Sequence, residues 1–209
     1  MLIKYHPVSG KRIPADGMPR KPKGVKSTVY PIRSRSAVER IKSDLFPHTR
    51  NYLMFVLGVN TALRANELLA LKAGQVRNLK ENDELSIYQR KTDSHRVVLI
   101  NACVAQAIQR HVVYLNNDDF LFRNNRYHNT PISVSYLGTL VKKWCTEAGL
   151  TENYSSHTLR KTWGYMQRKY NNASTLLLKE AFGHKHEWQT IAYLGVEQSE
   201  ISNLYKMQI

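Results

Sequence analysis

The chain has 209 residues, 42% hydrophobic and 22% charged, a balance that suits one folded globular domain with an appended segment and leaves little room for a second full-sized domain. Lys and Arg number 31 against 16 Asp and Glu, a formal charge of +15. A partner bearing many negative charges would relieve that self-repulsion, with DNA or RNA first, and a ribosomal particle or an anionic membrane surface also compatible. The longest apolar run, Leu53 to Val59, is too short to cross a bilayer, and the N-terminus has no signal-type apolar core, so cytoplasmic residence is expected. Cys103 and Cys145 lack CxxC spacing and read as small buried hydrophobes rather than zinc ligands.

Residues 1 to 35 hold nine Lys or Arg, one acid (Asp16), and several Pro and Gly. That composition resists core packing and reads either as a flexible basic arm along a phosphate backbone or as a solvated tail. Residues 36 to 209 read as the folded domain. From Ser36 the pattern turns helical, with Val38, Ile41 and Leu45 on one face, then Tyr52, Leu53, Phe55, Val56 and Val59 after the break at Pro47. Ala65 to Leu71 predicts a short helix that carries Arg64 at its exposed start, with Asn66 available as a cap.

Glu84 to Arg90 and Arg96 to Asn101 flank the polar turn Thr92-Asp93-Ser94-His95 and predict a β-hairpin. Helices follow near Ala102 to Leu115, Ser133 to Ala148 (ended by Gly149) and Ser156 to Tyr170, with shorter ones after Ala173 and near the C-terminus. The expected fold is mainly α with a small antiparallel β-sheet.

Chemistry concentrates in a few segments. His157 and Arg160, three apart in Ser156-His157-Thr158-Leu159-Arg160-Lys161, project from one helix face. Taken alone they would pass for a solvated basic helix end. Phe182-Gly183-His184 marks a helix C-terminus that places an imidazole at the surface, and Tyr193 follows nine positions later. Arg64 sits between apolar stretches and needs an anion; Glu67 or a bound phosphate would serve, the second gripped by two guanidinium nitrogens. Lys91 ends the first hairpin strand, where an ordinary surface lysine is the default.

The ordered set Arg64, Lys91, His157-x-x-Arg160, Gly183-His184 and Tyr193 resembles the active-site signature of the tyrosine recombinases, or phage-type integrases, over about Pro31 to Tyr193. The resemblance implies that Tyr193 attacks a DNA phosphate to form a 3'-phosphotyrosyl link. Arg64, Arg160 and His184 would hold the non-bridging oxygens, Lys91 would protonate the leaving 5'-oxygen, and His157 would assist proton transfer or orient the phosphate. It also implies double-stranded DNA as partner, a dimer to tetramer on that DNA, DNA-bending accessory proteins, nucleoid association, and no metal or other cofactor. The family commonly carries a separate core-binding domain ahead of the catalytic one. Here a basic segment stands in that place, and Lys11, Arg12, Lys21, Lys23 and Lys26, with Lys161 and Lys185, are the expected DNA contacts. Trp188 is expected to pack beneath the tyrosine segment, and Ile201 and Leu204 to dock on a neighbouring protomer or on their own domain.

Two rival readings use the same residues. A DNA-binding protein on this fold without catalysis would keep the charge and lose the chemistry. A metal-dependent nuclease would use His157, His184 and His186, but no Asp or Glu cluster accompanies them.

Overall fold

The computed structural model describes residues 28–89, 94–124 and 129–195, with residues 202, 205, 206 and 208 beyond them. Lys11, Arg12, Lys21, Lys23 and Lys26, as well as Lys91, Ile201 and Leu204, lie outside the described residues. The packed chain begins ahead of Ser36. Ile32 is fully buried and its N–H donates to Thr162 Oγ1 at 2.8 Å, while the Tyr30 N–H donates to the Asn153 carbonyl.

Helix α1 (Arg35–Leu45) is capped by Ser34, whose hydroxyl accepts from the Ala37 N–H, and it buries Ala37, Ile41 and Leu45 at a four-residue interval. After Pro47, α2 (Thr49–Asn60) buries every residue from Leu53 to Gly58. It is apolar all round because α1, α5 and α7 pack against it. Two short helices follow, α3 (Ala65–Leu69) and α4 (Ala73–Val76). The second has no counterpart among the expected elements; its four residues show no full turn of periodicity.

Strands β1 (Glu84–Gln89) and β2 (Ser94–Leu99) pair antiparallel, with Ile87 opposite Arg96 and Tyr88 opposite His95. Pairing starts earlier than expected: Ser94 and His95 belong to β2 rather than to the turn. The reason is cross-strand contact, since the His95 ring lies 5.3 Å from that of Tyr88 and its Nδ1 is 3.1 Å from Ser86 Oγ. One face of β1 buries Leu85 and Ile87. Arg96, opposite Ile87, therefore points the same way.

Helices α5 (Ala102–Val112) and α6 (Val134–Glu147) are capped by the Asn101 and Ser133 side chains. Between them Leu121 and Phe122 are fully buried, and the 120–123 segment makes isolated bridges to Lys72 and Pro131. Helix α7 (Ser156–Tyr170) packs on α2 and α6, and α8 (Thr175–Phe182) and α9 (Glu187–Leu194) close over its other side. Most buried apolar residues form one cluster centred on α2; Ala62, Leu178, Phe182 and Leu194 form a second, smaller one against which Trp163, Ala173 and Tyr193 pack. Cys145 is buried and Cys103 half-buried, both as free thiols. Among the described residues no helix is long and apolar enough to cross a membrane.

Candidate active site

Four segments converge on the small cluster: the loop before α3, the first turns of α7, the end of α8, and α9. Arg64 is the N-cap residue of α3. The cap comes from Glu67 rather than Asn66: Glu67 Oε2 accepts from the Arg64 N–H at 2.7 Å, and Oε1 accepts from Arg64 Nη1 at 2.6 Å. This holds the guanidinium at the surface, with the side chain 39% exposed and Nη2 donating to the Phe182 carbonyl at 3.3 Å. Of the two anions the sequence allows for Arg64, the structure shows Glu67, and the side chain stays partly exposed.

Arg160, one turn into α7, is only 4% exposed. It donates through Nη1 to the Ala62 carbonyl and through Nη2 to the Phe182 carbonyl at 2.6 Å, and it lies over the Phe182 ring at 4.8 Å. Burial pulls its guanidinium down to about 10, and Arg64 and Arg96 push the same way against the opposing effect of Tyr193. It remains a cation at neutral pH. Ala62 has φ 54, a left-handed conformation that a side chain makes costly by roughly 1–2 kcal/mol. The turn directs its carbonyl at the guanidinium.

Gly183 takes φ 61 at the end of α8, and the His184 N–H caps the Lys179 carbonyl at 3.0 Å. This is the glycine-terminated turn that the sequence predicts. The His184 ring stacks on Phe182 (5.2 Å, 25°), and its Nδ1 is 2.8 Å from Thr190 Oγ1. Burial, then the charges of Arg160 and Arg64, lower its pKa.

Tyr193 lies at the centre. Its ring is edge-on to Phe182 at 5.3 Å, His184 at 5.5 Å and His157 at 6.5 Å, and Lys161 Nζ stands 4.8 Å from its centroid. The hydroxyl is buried without a well-formed hydrogen bond. Burial pushes the phenol up to about 12, against the opposing pull of the Arg160 and Arg64 cations. His157 is exposed as a residue, and partial desolvation of its ring, followed by the Arg160 and Lys161 charges, lowers its pKa. In both imidazoles these surroundings favour the neutral form over the imidazolium.

Residues 28–200 match the phage integrase family. The chain belongs to that family. It is 30% identical over 182 residues to the probable integrase/recombinase YoeC of Bacillus subtilis (strain 168), covering 86% of this chain and 96% of that protein. It is 27% identical over 158 residues to the tyrosine recombinase XerC of Caldanaerobacter subterraneus subsp. tengcongensis, covering 73% of this chain but 43% of that one. In fold, this phage integrase family member resembles the crystal structure of XerA recombinase, with TM-score 0.70, 20% identity, and 87% of this chain and 65% of that chain covered. It also resembles XerH bound to palindromic difH in a post-cleavage complex, with TM-score 0.69, 20% identity, and 88% and 55% covered. The mainly helical fold with a small antiparallel sheet is that of the tyrosine recombinase catalytic domains.

The structure of this family member brings together Arg64, His157, Arg160, His184 and Tyr193 of the expected set, and Lys161 with them, whereas Lys91 is outside the described residues. Lys185 is exposed on the loop before α9, its N–H donating to Gln189 Oε1 at 3.0 Å. Trp188 departs from expectation. It is 65% exposed and stacks on His186 (6.4 Å, 11°) instead of lying under the tyrosine segment. The eight-residue α9 buries Thr190 and Leu194, and position 188 falls on the opposite side of the helix. Among the described residues, no group of three His, Cys, Asp or Glu side chains converges as metal ligands.

Arg96 and Thr190 were not among the expected site residues. Arg96 Nη1 donates to the Ala181 carbonyl at 2.7 Å, and Nη2 pairs with Glu67 Oε2 at 3.2 Å, with longer contacts to the Ala62 carbonyl. It ties the hairpin to the Arg64 loop and to the end of α8. Strand alternation carried the signal, since Arg96 is a cation on the face that buries Leu85 and Ile87.

Proposed function

We propose that this chain is a site-specific DNA recombinase that cuts and rejoins DNA through a 3'-phosphotyrosyl intermediate. The observation that carries the reading is the position of Tyr193: its buried hydroxyl lies in a cluster with Arg160 and the imidazoles of His157 and His184. A tyrosine serving only as packing would not need two arginines and two histidines around it.

In this mechanism the scissile phosphate docks against the exposed edge of Arg64, with Arg160 and His184 completing the clamp. These donors stabilise the charge that grows on the non-bridging oxygens, and loss of one such donor costs about a hundred- to a thousandfold in rate. Tyr193 turns outward and its oxygen forms a bond to phosphorus while the bond from phosphorus to the 5'-oxygen breaks. The phenolic proton passes to a neutral imidazole, for which His157 is the candidate, and Lys91 supplies a proton to the departing 5'-oxygen. The phosphodiester bond is exchanged for a phosphotyrosyl bond of similar energy, so rejoining runs the step in reverse and needs neither ATP nor a metal.

Double-stranded DNA is the substrate, and the basic residues Lys11, Arg12, Lys21, Lys23 and Lys26, with Lys161 and Lys185, are the proposed contacts outside the phosphate clamp. Strand exchange joins two duplexes, which calls for a dimer to tetramer on DNA, with bending proteins as accessory partners.

The test is covalent capture. The purified chain is incubated with nicked genomic fragments from its source organism in EDTA, and protein-linked DNA is recovered under denaturing conditions. Wild type is expected to yield adducts that map to a discrete site, and Tyr193→Phe to yield none. Binding without any wild-type adduct would favour a non-catalytic DNA-binding protein instead.

A further inference from the structure

We propose that Thr190 is a positioning residue that locks His184 in the tautomer with its proton on Nε2, so that a neutral imidazole donates to the phosphate. The geometry begins with burial. Thr190 has no solvent exposure, and its Oγ1 lies 2.8 Å from His184 Nδ1. A hydroxyl out of water must place its proton on an acceptor, because an unmade buried hydrogen bond costs about 1–3 kcal/mol.

Other buried threonines of this chain discharge that proton onto backbone carbonyls: Thr61 onto Leu57, Thr158 onto Tyr30, and Thr162 onto Thr158. Among the described residues, Thr190 Oγ1 has His184 Nδ1 as its partner in place of a carbonyl. Thr190 is therefore the donor and Nδ1 the acceptor. A neutral imidazole that accepts at Nδ1 carries its hydrogen at Nε2. Stacking on Phe182 at 25° fixes the ring plane, so Nε2 points away from α9.

The charge state agrees. Burial, Arg160 and Arg64 all disfavour the imidazolium, and a neutral ring donates to a phosphate oxygen only from a protonated Nε2. Two arginines already supply cationic charge; His184 adds an aimed donor without a third positive charge. Sequence reading gives no hint of this, because position 190 acquires its role only when α9 folds back across the end of α8.

The inference rests on the strand-cleavage reading for its catalytic consequence, but its structural half is measured without DNA. Histidine-selective 15N labelling reports tautomers through long-range proton correlations at pH 7, with His184 assigned by its loss in His184→Gln. Wild type is expected to show an unprotonated Nδ1 and a protonated Nε2. Thr190→Val, similar in volume but unable to donate, is expected to shift His184 toward a mixture and to slow adduct formation about tenfold at unchanged DNA affinity. Thr190→Ser is expected to restore both.

A wild-type ring protonated at Nδ1, or a Thr190→Val spectrum like wild type, would overturn the inference. So would an altered tautomer with an unchanged cleavage rate. Should Thr190→Val fail to fold, the wild-type and Thr190→Ser spectra still decide which nitrogen carries the proton. Absence of adducts from wild type would overturn the cleavage reading, while the tautomer would stand or fall on the spectra alone.

Discussion

Glu67 is the carboxylate around which the cationic site is organised. It accepts from the Arg64 N–H and guanidinium and from Arg96, with its side chain 10% exposed. Burial alone would raise its pKa, but these donors outweigh burial and hold it below the ordinary 4.5. A depressed folded-state value means that its contribution is present above 4.5 and is lost as pH falls through the folded value. Urea unfolding followed from pH 7 to pH 3 should therefore show wild type losing stability below about 4.5. Glu67→Gln is expected to start about 1.5–3 kcal/mol less stable at pH 7 and to lose less on acidification. Parallel pH profiles for the two proteins would refute this role. Arg96 shows the other side of the same cluster: a guanidinium folded into the interior, anchored on a carboxylate and on helix-end carbonyls, touching neither Tyr193 nor His184 in any described contact.

At the scale of elements, the site depends on how closely α8 and α9 approach α7. Gly164 lies on the α7 face beneath them, and a Cβ there would stand 2.7 Å from Leu194 Cδ2 and closer still to the Phe182 ring. Phe182 also carries the His184 stack and the carbonyl shared by Arg64 and Arg160. Gly164→Ala is expected to destabilise the chain by about 1–3 kcal/mol through overpacking and to reduce adduct formation beyond what the lost stability explains. Denaturant melts paired with single-turnover cleavage would check this; unchanged values in both would show that α8 and α9 yield freely. Much of this level was legible in the sequence. The positions of α1, α2, α5, α6 and α7 follow from periodicity and from breaks such as Pro47 and Gly149, whereas the caps at Ser34, Asn101 and Ser133 are seen only in the structure. The start of β2 and the four-residue α4 were not legible, because cross-strand ring contacts and a single turn of helix leave no periodic trace.

For the whole molecule, the formal charge of +15 sets a testable scale. If the basic residues bind duplex phosphates, log affinity should fall linearly with log salt at a slope of about −0.9 per phosphate contacted. With roughly six contacts this loses about a thousandfold between roughly 50 and 200 mM salt. Fluorescence anisotropy on a mixed-sequence duplex measures it, and a nearly flat dependence would remove DNA as the partner of the excess charge. The ordered spacing from Arg64 to Tyr193 is enough by itself to point to the family, because covalent order survives folding and several matches in sequence rarely coincide. Which partners Arg96 and Thr190 meet was not readable there. Arg96 and Thr190 owe their places to the hairpin folding against α8 and to α9 crossing it, contacts between residues 85 and 6 positions apart. Residue types, helix periods, and the expected chemistry were determined by the sequence alone. The orientation of Trp188 away from the tyrosine and the meeting of the Thr190 hydroxyl with His184 were decided only by tertiary packing, since burial and partner geometry exist only once the segments meet.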